Sequence, residues 1–243
     1  MKVTAFGITD VGLKRSKNED NLFVSEDMGL FIVADGMGGH KGGDLASQLA
    51  VEAMTEVVKT HREEHTFLSP RAMLEEGYTE ASARIFNRSQ VNEGMLQGMG
   101  TTLVTAYVHE DQIFVGNVGD SRAYFFNEQY MWQMTEDHSL VNEHIRAGLL
   151  KDSEAKDFQA KNIITRSVGF EKNVHCDIIR KQLSVGDRFL LCSDGLCGLI
   201  DDEEIFVICT SNPQEKAVEI CIERAKAAGG DDNITALLIE VKA

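Results

Sequence analysis

A chain of 243 residues, 43% hydrophobic and 26% charged, has enough apolar material for one sizeable core and too much for a disordered chain. Its 39 acidic against 24 basic residues leave a net charge of −15, a field that repels phosphate backbones and anionic lipid, so nucleic acid and membrane surfaces are poor partners. No apolar run reaches the roughly 18 residues that span a bilayer, and MKVTAFGITD lacks the length and cleavage pattern of a secretion signal.

In chain order, Val3–Thr9 and the apolar run Leu30–Ala34 predict buried strands. Between Asp44 and His61, Leu45, Leu49, Ala53 and Val57 return every four residues and predict a helix with these on its inner face. Ser69-Pro70 has the form of a helix start, with serine as cap and proline in the first turn, for a stripe of Leu74, Tyr78, Ala81 and Ile85. From Thr101 the pattern changes to short strands, TTLVTAYV, QIFVGNV and RAYFF, the first two joined through His109-Glu110-Asp111. A short helix is expected over Asp137–Ala147, stopped by Gly148 and followed by a polar stretch to about Asn162. Strands return at Val174–Ile179, Arg188–Cys192 and Ile234–Val241. Before the last of them, Asn212-Pro213-Gln214-Glu215 reads as a capping box opening a helix that ends at Gly229-Gly230. Helices paired between sets of strands predict a layered α+β sandwich rather than alternating βαβ winding. With two prolines and no Ser/Gly/Pro-rich stretch, residues 1–243 read as one domain.

The aspartates carry the chemical signal. LFIVAD ends at Asp35-Gly36, IFVGNVGD at Asp120 and RFLLCSD at Asp194-Gly195, so each carboxylate is expected at the exit of a core strand. Asp232 lies in GGDDN before the last strand, and Asn18-Glu19-Asp20 precedes Leu22-Phe23. Converging carboxylates repel unless a cation neutralises them, and oxygen-only donors select Mg2+ or Mn2+ over zinc. Taken singly, Asp-Gly after a strand is an ordinary turn, and spacing alone does not bring these residues together. The glycines of DGMGGHKGG suit close approach to an ion or phosphate and equally suit a plain turn. Arg15 could clamp a phosphate with its planar fork of donors, or stand in solvent.

Other phosphate chemistries fail on spacing. His175-Cys176 lacks the arginine six residues after the cysteine that a cysteine-phosphatase loop needs, since Gln182 stands there. No GxxxxGK[ST] loop, complete GxGxxG, DxDx[TV] or EF-hand pattern occurs. The five cysteines (Cys176, Cys192, Cys197, Cys209, Cys221) contain no CxxC pair and read as small buried hydrophobes of a reducing, cytoplasmic compartment.

Eight motifs stand in order: DVGLKRSKNEDN (10–21), VADGMGGHKGGDLAS (33–47), GMGTTLV (98–104), GNVGDSRAYF (116–125), TEDHSLV (135–141), ITRSVG (164–169), LLCSDGL (190–196) and GGDDNIT (229–235). Together they resemble the metal-dependent type 2C protein serine/threonine phosphatases in their compact bacterial form, over nearly the whole chain. The resemblance implies a four-layer αββα sandwich, with two antiparallel-rich β-sheets flanked by pairs of helices. It implies that Asp35 bridges two Mn2+ or Mg2+ ions, with the Gly36 carbonyl on one of them and Asp194 and Asp232 as further ligands. Asp120, with Asp194, matches the holder of a third, weaker ion; against this, Asp120 and Arg122 could simply pair and hold a turn. Glu19 and Asp20 match the acidic pair that orients metal-bound water, and Arg15 the arginine that binds substrate phosphate.

The implied reaction is hydrolysis of phosphoserine and phosphothreonine by water activated between cations, with no phosphoenzyme. Where eukaryotic members carry a histidine after the Asp-Gly pair, this chain has Met37, which leaves His40 or water as proton donor to the departing alcohol. Residues 142–165 correspond to a variable flap, in which Asp157-Phe158-Gln159 replaces a His-Pro pair common in relatives; the flap is expected to gate or select phosphoproteins. The implied partners are phosphorylated proteins and, as functional counterpart, a serine/threonine kinase encoded elsewhere, with the phosphatase itself a cytoplasmic monomer. A catalytically silent phosphoprotein-binding module is the rival from another class, and the presence of every metal aspartate weighs against it. A phosphatase of anti-sigma-type antagonists would keep the chemistry and change the role.

Overall fold

The computed structural model describes residues 1–38, 42–64, 68–91, 96–127, 129–158, 160 and 162–243. Strands β1 (Lys2–Asp10), β2 (Asp20–Ser25) and β3 (Leu30–Met37) come first, then helices α1 (Gly43–Glu63) and α2 (Pro70–Val91). The short β4 (Gly100–Thr101) leads into β5 (Leu103–His109), β6 (Gln112–Val118), β7 (Arg122–Phe126) and β8 (Met131–Gln133). After α3 (Leu140–Arg146) and a 3-10 turn at Asp152–Asp157 come β9 (Asp177–Gln182), β10 (Arg188–Cys192), α4 (Asp194–Cys197), α5 (Asp202–Ser211), α6 (Gln214–Ala227) and β11 (Ile234–Lys242).

One sheet runs β1-β11-β10-β7-β8 and the other β2-β3-β5-β6-β9, with β4 paired to β3. Alternation along the strands assigns the layers. Phe31, Val33, Val104 and Val115 from one sheet meet Phe125, Phe189, Leu191 and Leu237 from the other in a buried middle layer. The intervening residues Ile32 and Leu103 pack against α1 and α2, and Leu190 and Leu238 against α4–α6. The result is the expected sandwich of two antiparallel sheets between helices.

Local expectations fare unevenly. The α2 stripe of Leu74, Tyr78, Ala81 and Ile85 is fully buried, and Ser69 Oγ accepts from the Ala72 N–H at 3.2 Å as its cap. In α1 the inner face is instead Ala46, Ala50, Ala53, Met54 and Val58; Leu45, Leu49 and Val57 are only partly buried. Small alanines let the helix lie close on the sheet while the leucines cover its flanks. The 109–111 turn narrows to two residues, because His109 pairs with Gln112 and Glu110 adopts φ +57°.

The helix expected from Asp137 starts only at Leu140, after Ser139 caps it, because Asp137 and His138 are bound to other parts of the chain. The strand expected from Val174 starts at Asp177, opposite Asn117, where pairing with β6 begins. Asn212 opens no capping box; it closes α5, its Nδ2 donating to Ile208 O at 3.0 Å, and α6 follows Pro213 with no side-chain cap. The sequence reading assigns neither β2 nor α5. The latter is begun by Asp201, which accepts from the Glu204 N–H at 3.0 Å, with three acidic residues in its first turn facing the positive end of the helix dipole.

Antiparallel register decides where the carboxylates go. At one end of the sandwich Asp20 stands opposite Asp35, Leu103 opposite Val118, Asp10 opposite Ile234, and Cys192 opposite both Ala236 and Arg122. The chain also crosses between the sheets at this end, through residues 11–19 and again through Gly119-Asp120-Ser121.

Candidate active site

Asp35 shares the face of Phe31 and Val33, so it continues the middle layer to its end. It lies inside β3, which runs on to Met37, and not at the strand's exit. Its backbone is pinned. The Asp35 N–H donates to Thr102 Oγ1 at 3.0 Å, and its carbonyl accepts from the Thr102 N–H at 2.9 Å and Thr101 Oγ1 at 2.8 Å. Asp194 opens α4, Asp120 sits in the β6–β7 crossing, and Asp232 precedes β11.

Asp20 points to the same place. Its Oδ2 accepts from Ser193 Oγ at 2.8 Å and Thr235 Oγ1 at 2.6 Å, while its Oδ1 is buried with no partner among the described residues. Asp120 Oδ1 is likewise buried and unpartnered there. Asp35, Asp120 and Asp194 keep part of their surface open to solvent although protein surrounds them on most sides. Burial pushes Asp20 up to about 7, and the charges of Asp194 and Asp232 add to the shift against the two hydroxyl donors. Burial, then Asp194 and Asp137, likewise lifts Asp120 to about 7. Asp35 is held well above the usual carboxylate range by burial and the charges of Asp20, Asp194 and Asp120. Asp194 is raised by burial as well, and its carboxyl lies within hydrogen-bonding reach of Asp35. Glu19 is raised by burial and by Asp44, against the pull of Lys17 and Arg15.

Crowded, destabilised carboxylates with orphaned oxygens fit a hard divalent cation. Among the described residues no trio of acidic, histidine or cysteine side chains closes into a ready-made cage. Glycine matters at Gly36, where a Cβ would fall 2.1 Å from Gly43 O, so β3 can pass under the start of α1 only without a side chain.

Arg15 reaches the cluster from its rim, with Nη2 2.6 Å from Asp232 Oδ2 and both side chains substantially exposed. Such a pair is worth about 0–1 kcal/mol, so the guanidinium is free to exchange it for a phosphate. Asp120 and Arg122 do not form the turn pair considered above. Arg122 grips both oxygens of Asp137 at 2.7–3.1 Å and the Tyr124 hydroxyl at 3.0 Å. His40 and Gln159, singled out in the sequence, lie outside the described residues.

The sequence reading missed the residues that hold the site together. Asn233 Oδ1 accepts from the Glu19 N–H at 2.8 Å, and its Nδ2 donates to Val11 O at 3.0 Å and Lys17 O at 2.9 Å, which fixes the 11–19 crossing. Ser193, Thr235, Thr101 and Thr102 anchor Asp20 and Asp35. The available signal was the run of small polar residues beside each aspartate in GMGTTLV, LLCSDGL and GGDDNIT.

A family model described as Protein phosphatase 2C matches residues 14–212. The chain belongs to this family. The serine/threonine phosphatase Stp of Listeria monocytogenes is 40% identical over 237 residues, covering 96% of this chain and 93% of that protein. The Mycobacterium tuberculosis serine/threonine phosphatase PstP/Ppp superposes with a TM-score of 0.92 at 28% identity, 100% of each chain covered. A structure of the PstP catalytic domain in complex with two manganese ions gives 0.89 at 28% identity, covering 100% of this chain and 99% of that one. This member of the protein phosphatase 2C family is a metal-dependent serine/threonine protein phosphatase.

Proposed function

We propose that the carboxylate cluster is the catalytic centre of this phosphatase. In this reading Asp35, the Gly36 carbonyl, Asp194 and Asp232 would hold two Mn2+ or Mg2+ ions, and Asp120 with Asp194 would hold a third, weaker one. The observation that carries it is the pair of buried carboxylate oxygens, Asp20 Oδ1 and Asp120 Oδ1, without a donor among the described residues. The manganese ions of PstP support the choice of metal. Bound there, divalent cations supply Lewis acidity, lowering the pKa of water and screening the phosphate's charge.

The chain's own residues bind and orient. Arg15 takes two phosphate oxygens of the phosphoserine or phosphothreonine through parallel N–H donors, a planar match that lysine cannot give. Glu19 and Asp20 accept hydrogen bonds from water in the cleft and so orient it, and Ser193 and Thr235 keep Asp20 aimed by donating to its Oδ2. In this reading water is the nucleophile, and no side chain takes that part.

Residues 1–243 then form one catalytic domain, and 142–165 form a flap that selects phosphoprotein substrates. The enzyme opposes a serine/threonine kinase in the cytoplasm, as a monomer. No described helix is long and apolar enough to cross a membrane.

Incubating the protein with a phosphothreonine peptide should release phosphate with Mn2+ and stop on addition of EDTA. Release that survives EDTA would overturn the metal reading. Silence with Mn2+ and Mg2+ on several phosphopeptides, from folded protein, would favour the binding module. Exchanging 142–165 for a relative's segment should move kcat/KM on phosphopeptides by roughly tenfold while a small aryl phosphate is turned over as before; unchanged peptide preference would remove the flap from substrate selection.

A further inference from the structure

TEDHSLV and ITRSVG contribute none of the groups assigned so far, yet they meet around one histidine. His138 is 7% exposed. Its backbone N–H donates to Gly119 O at 2.9 Å, and the Gly119 N–H donates back to His138 Nδ1 at 3.0 Å. This is a two-point clamp on the residue before Asp120. Gly119 adopts φ +110°, and a Cβ there would fall 2.6 Å from Thr102 Cβ, so the turn is held between Thr102 and His138.

An N–H facing Nδ1 places the ring proton on Nε2. Nε2 lies 3.0 Å from Asp177 Oδ2 and donates to it. Arg166 Nη1 reaches Asp177 Oδ1 at 3.2 Å and His175 O at 3.3 Å. It also approaches Nε2 to 2.9 Å, and the carboxylate of Asp177 accommodates both donors.

The backbone of His138 and of the two residues after it ties the two ends of the flap together. The Thr165 N–H donates to His138 O at 2.8 Å, the Leu140 N–H donates to Ile163 O at 2.8 Å, and Ser139 forms a bridge with Ile164. Farther out, α3 has no buried residue; beyond these ties it is held by Asn142 Nδ2, which donates to Asp137 O at 2.8 Å, and by the exposed Arg146–Glu136 pair.

We propose that His138 is the joint that sets the flap and the Asp120 carboxyl as one unit. Nδ1 fixes the Gly119-Asp120 turn, and Nε2, through Asp177 and Arg166, secures the flap's base. His138 is a positioning residue, since it acts through Gly119 and Asp177. The inference rests on the reading that Asp120 faces a cation.

The two arms can be cut separately. His138→Asn keeps an acceptor near Nδ1 but cannot reach Asp177; His138→Gln keeps that reach and leaves the Gly119 N–H without an acceptor. Amide exchange in the metal-free proteins, Mn2+ binding isotherms, and kcat and KM on a phosphothreonine peptide and an aryl phosphate read the two arms. His138→Gln should speed exchange across 119–122 by roughly tenfold, the cost of one buried hydrogen bond, and weaken the weakest Mn2+ step by a similar factor. His138→Asn should leave both near the parent values, speed exchange across 139–165, and raise KM several-fold for the peptide alone. Parent-like exchange at 119–122 in His138→Gln, or equal losses in both variants, would overturn the joint. A parent protein that binds no Mn2+ would strike the reading of the site instead, while exchange in the metal-free proteins still tests the joint.

Discussion

Asp194→Asn is expected to lower kcat on a phosphothreonine peptide by about a thousandfold and, in metal-free protein, to raise the melting temperature. The two effects have one cause. Asp194 is among the charges that lift Asp20, Asp35 and Asp120, and it stands within hydrogen-bonding reach of Asp35. Removing its charge relieves repulsion between groups that burial already destabilises, and an amide can donate to Asp35 where a carboxylate cannot. The same substitution removes a carboxylate proposed both for the two-ion site and for the third ion, and losing one preorganised electrostatic group costs on the order of 3–4 kcal/mol at the transition state. Function and stability therefore pull apart, as at other active sites built from strained groups. Phosphate release at saturating Mn2+ and calorimetry after EDTA check both limbs. A fall in both would mean that Asp194 supports the scaffold rather than the chemistry.

How far the sequence reaches is clear from particular residues. Asp35, Asp120, Asp194 and Asp232 stood out because apolar runs lead to them or away from them, and apolar runs are what periodicity detects. Spacing alone did not show their convergence, which only the family resemblance implied. It follows from the register that sets Asp20 against Asp35 and Cys192 against Ala236 at one end of the sandwich, and strand pairing between distant segments leaves no local trace. Asn233 shows the same limit: the amides and carbonyls it binds lie 214 to 222 residues away. Other misses are local. Period alone puts the α1 leucines inside, whereas the sheet takes the alanines, since close packing favours small residues at the contact. IFVIC in α5 has the β-branched and aromatic character of a strand, and its helical state depends on packing rather than propensity. Asn212 has the chemistry either to end one helix or to begin the next, and the short α5–α6 connection gave it to the first.

Metal-free protein should lose stability as pH rises from about 4 to beyond 7, and Mn2+ should stabilise it far more at about pH 8 than at about pH 5. In an unfolded chain these carboxyls titrate near 3.9. Folded, Asp20 and Asp120 titrate at about 7, and Asp35 and Asp194 are also raised. Between those limits the native state binds more protons than the unfolded one, so the slope of stability against pH is negative. The stabilisation is complete below the unfolded value and is lost as pH climbs through the folded ones. One opposite shift falls inside this window: burial lowers His138 from its usual value, so its own contribution grows as pH rises toward about 6.5, against the four raised carboxyls. At Asp10, Asp177 and Glu240 burial is outweighed by hydrogen bonds and ion pairs, and Lys17 holds Asp44 low, so their contributions change only below about pH 4. Cations compete with protons for the same oxygens, so metal binding strengthens across the window in which the bare protein weakens. A drop on the order of 10 °C in melting temperature between the two pH values in EDTA, abolished by Mn2+, is the expected result. A metal-free melting temperature that rises over this interval would show the cluster to be paired by cationic side chains instead, and would remove the physical reason for placing metal ions there.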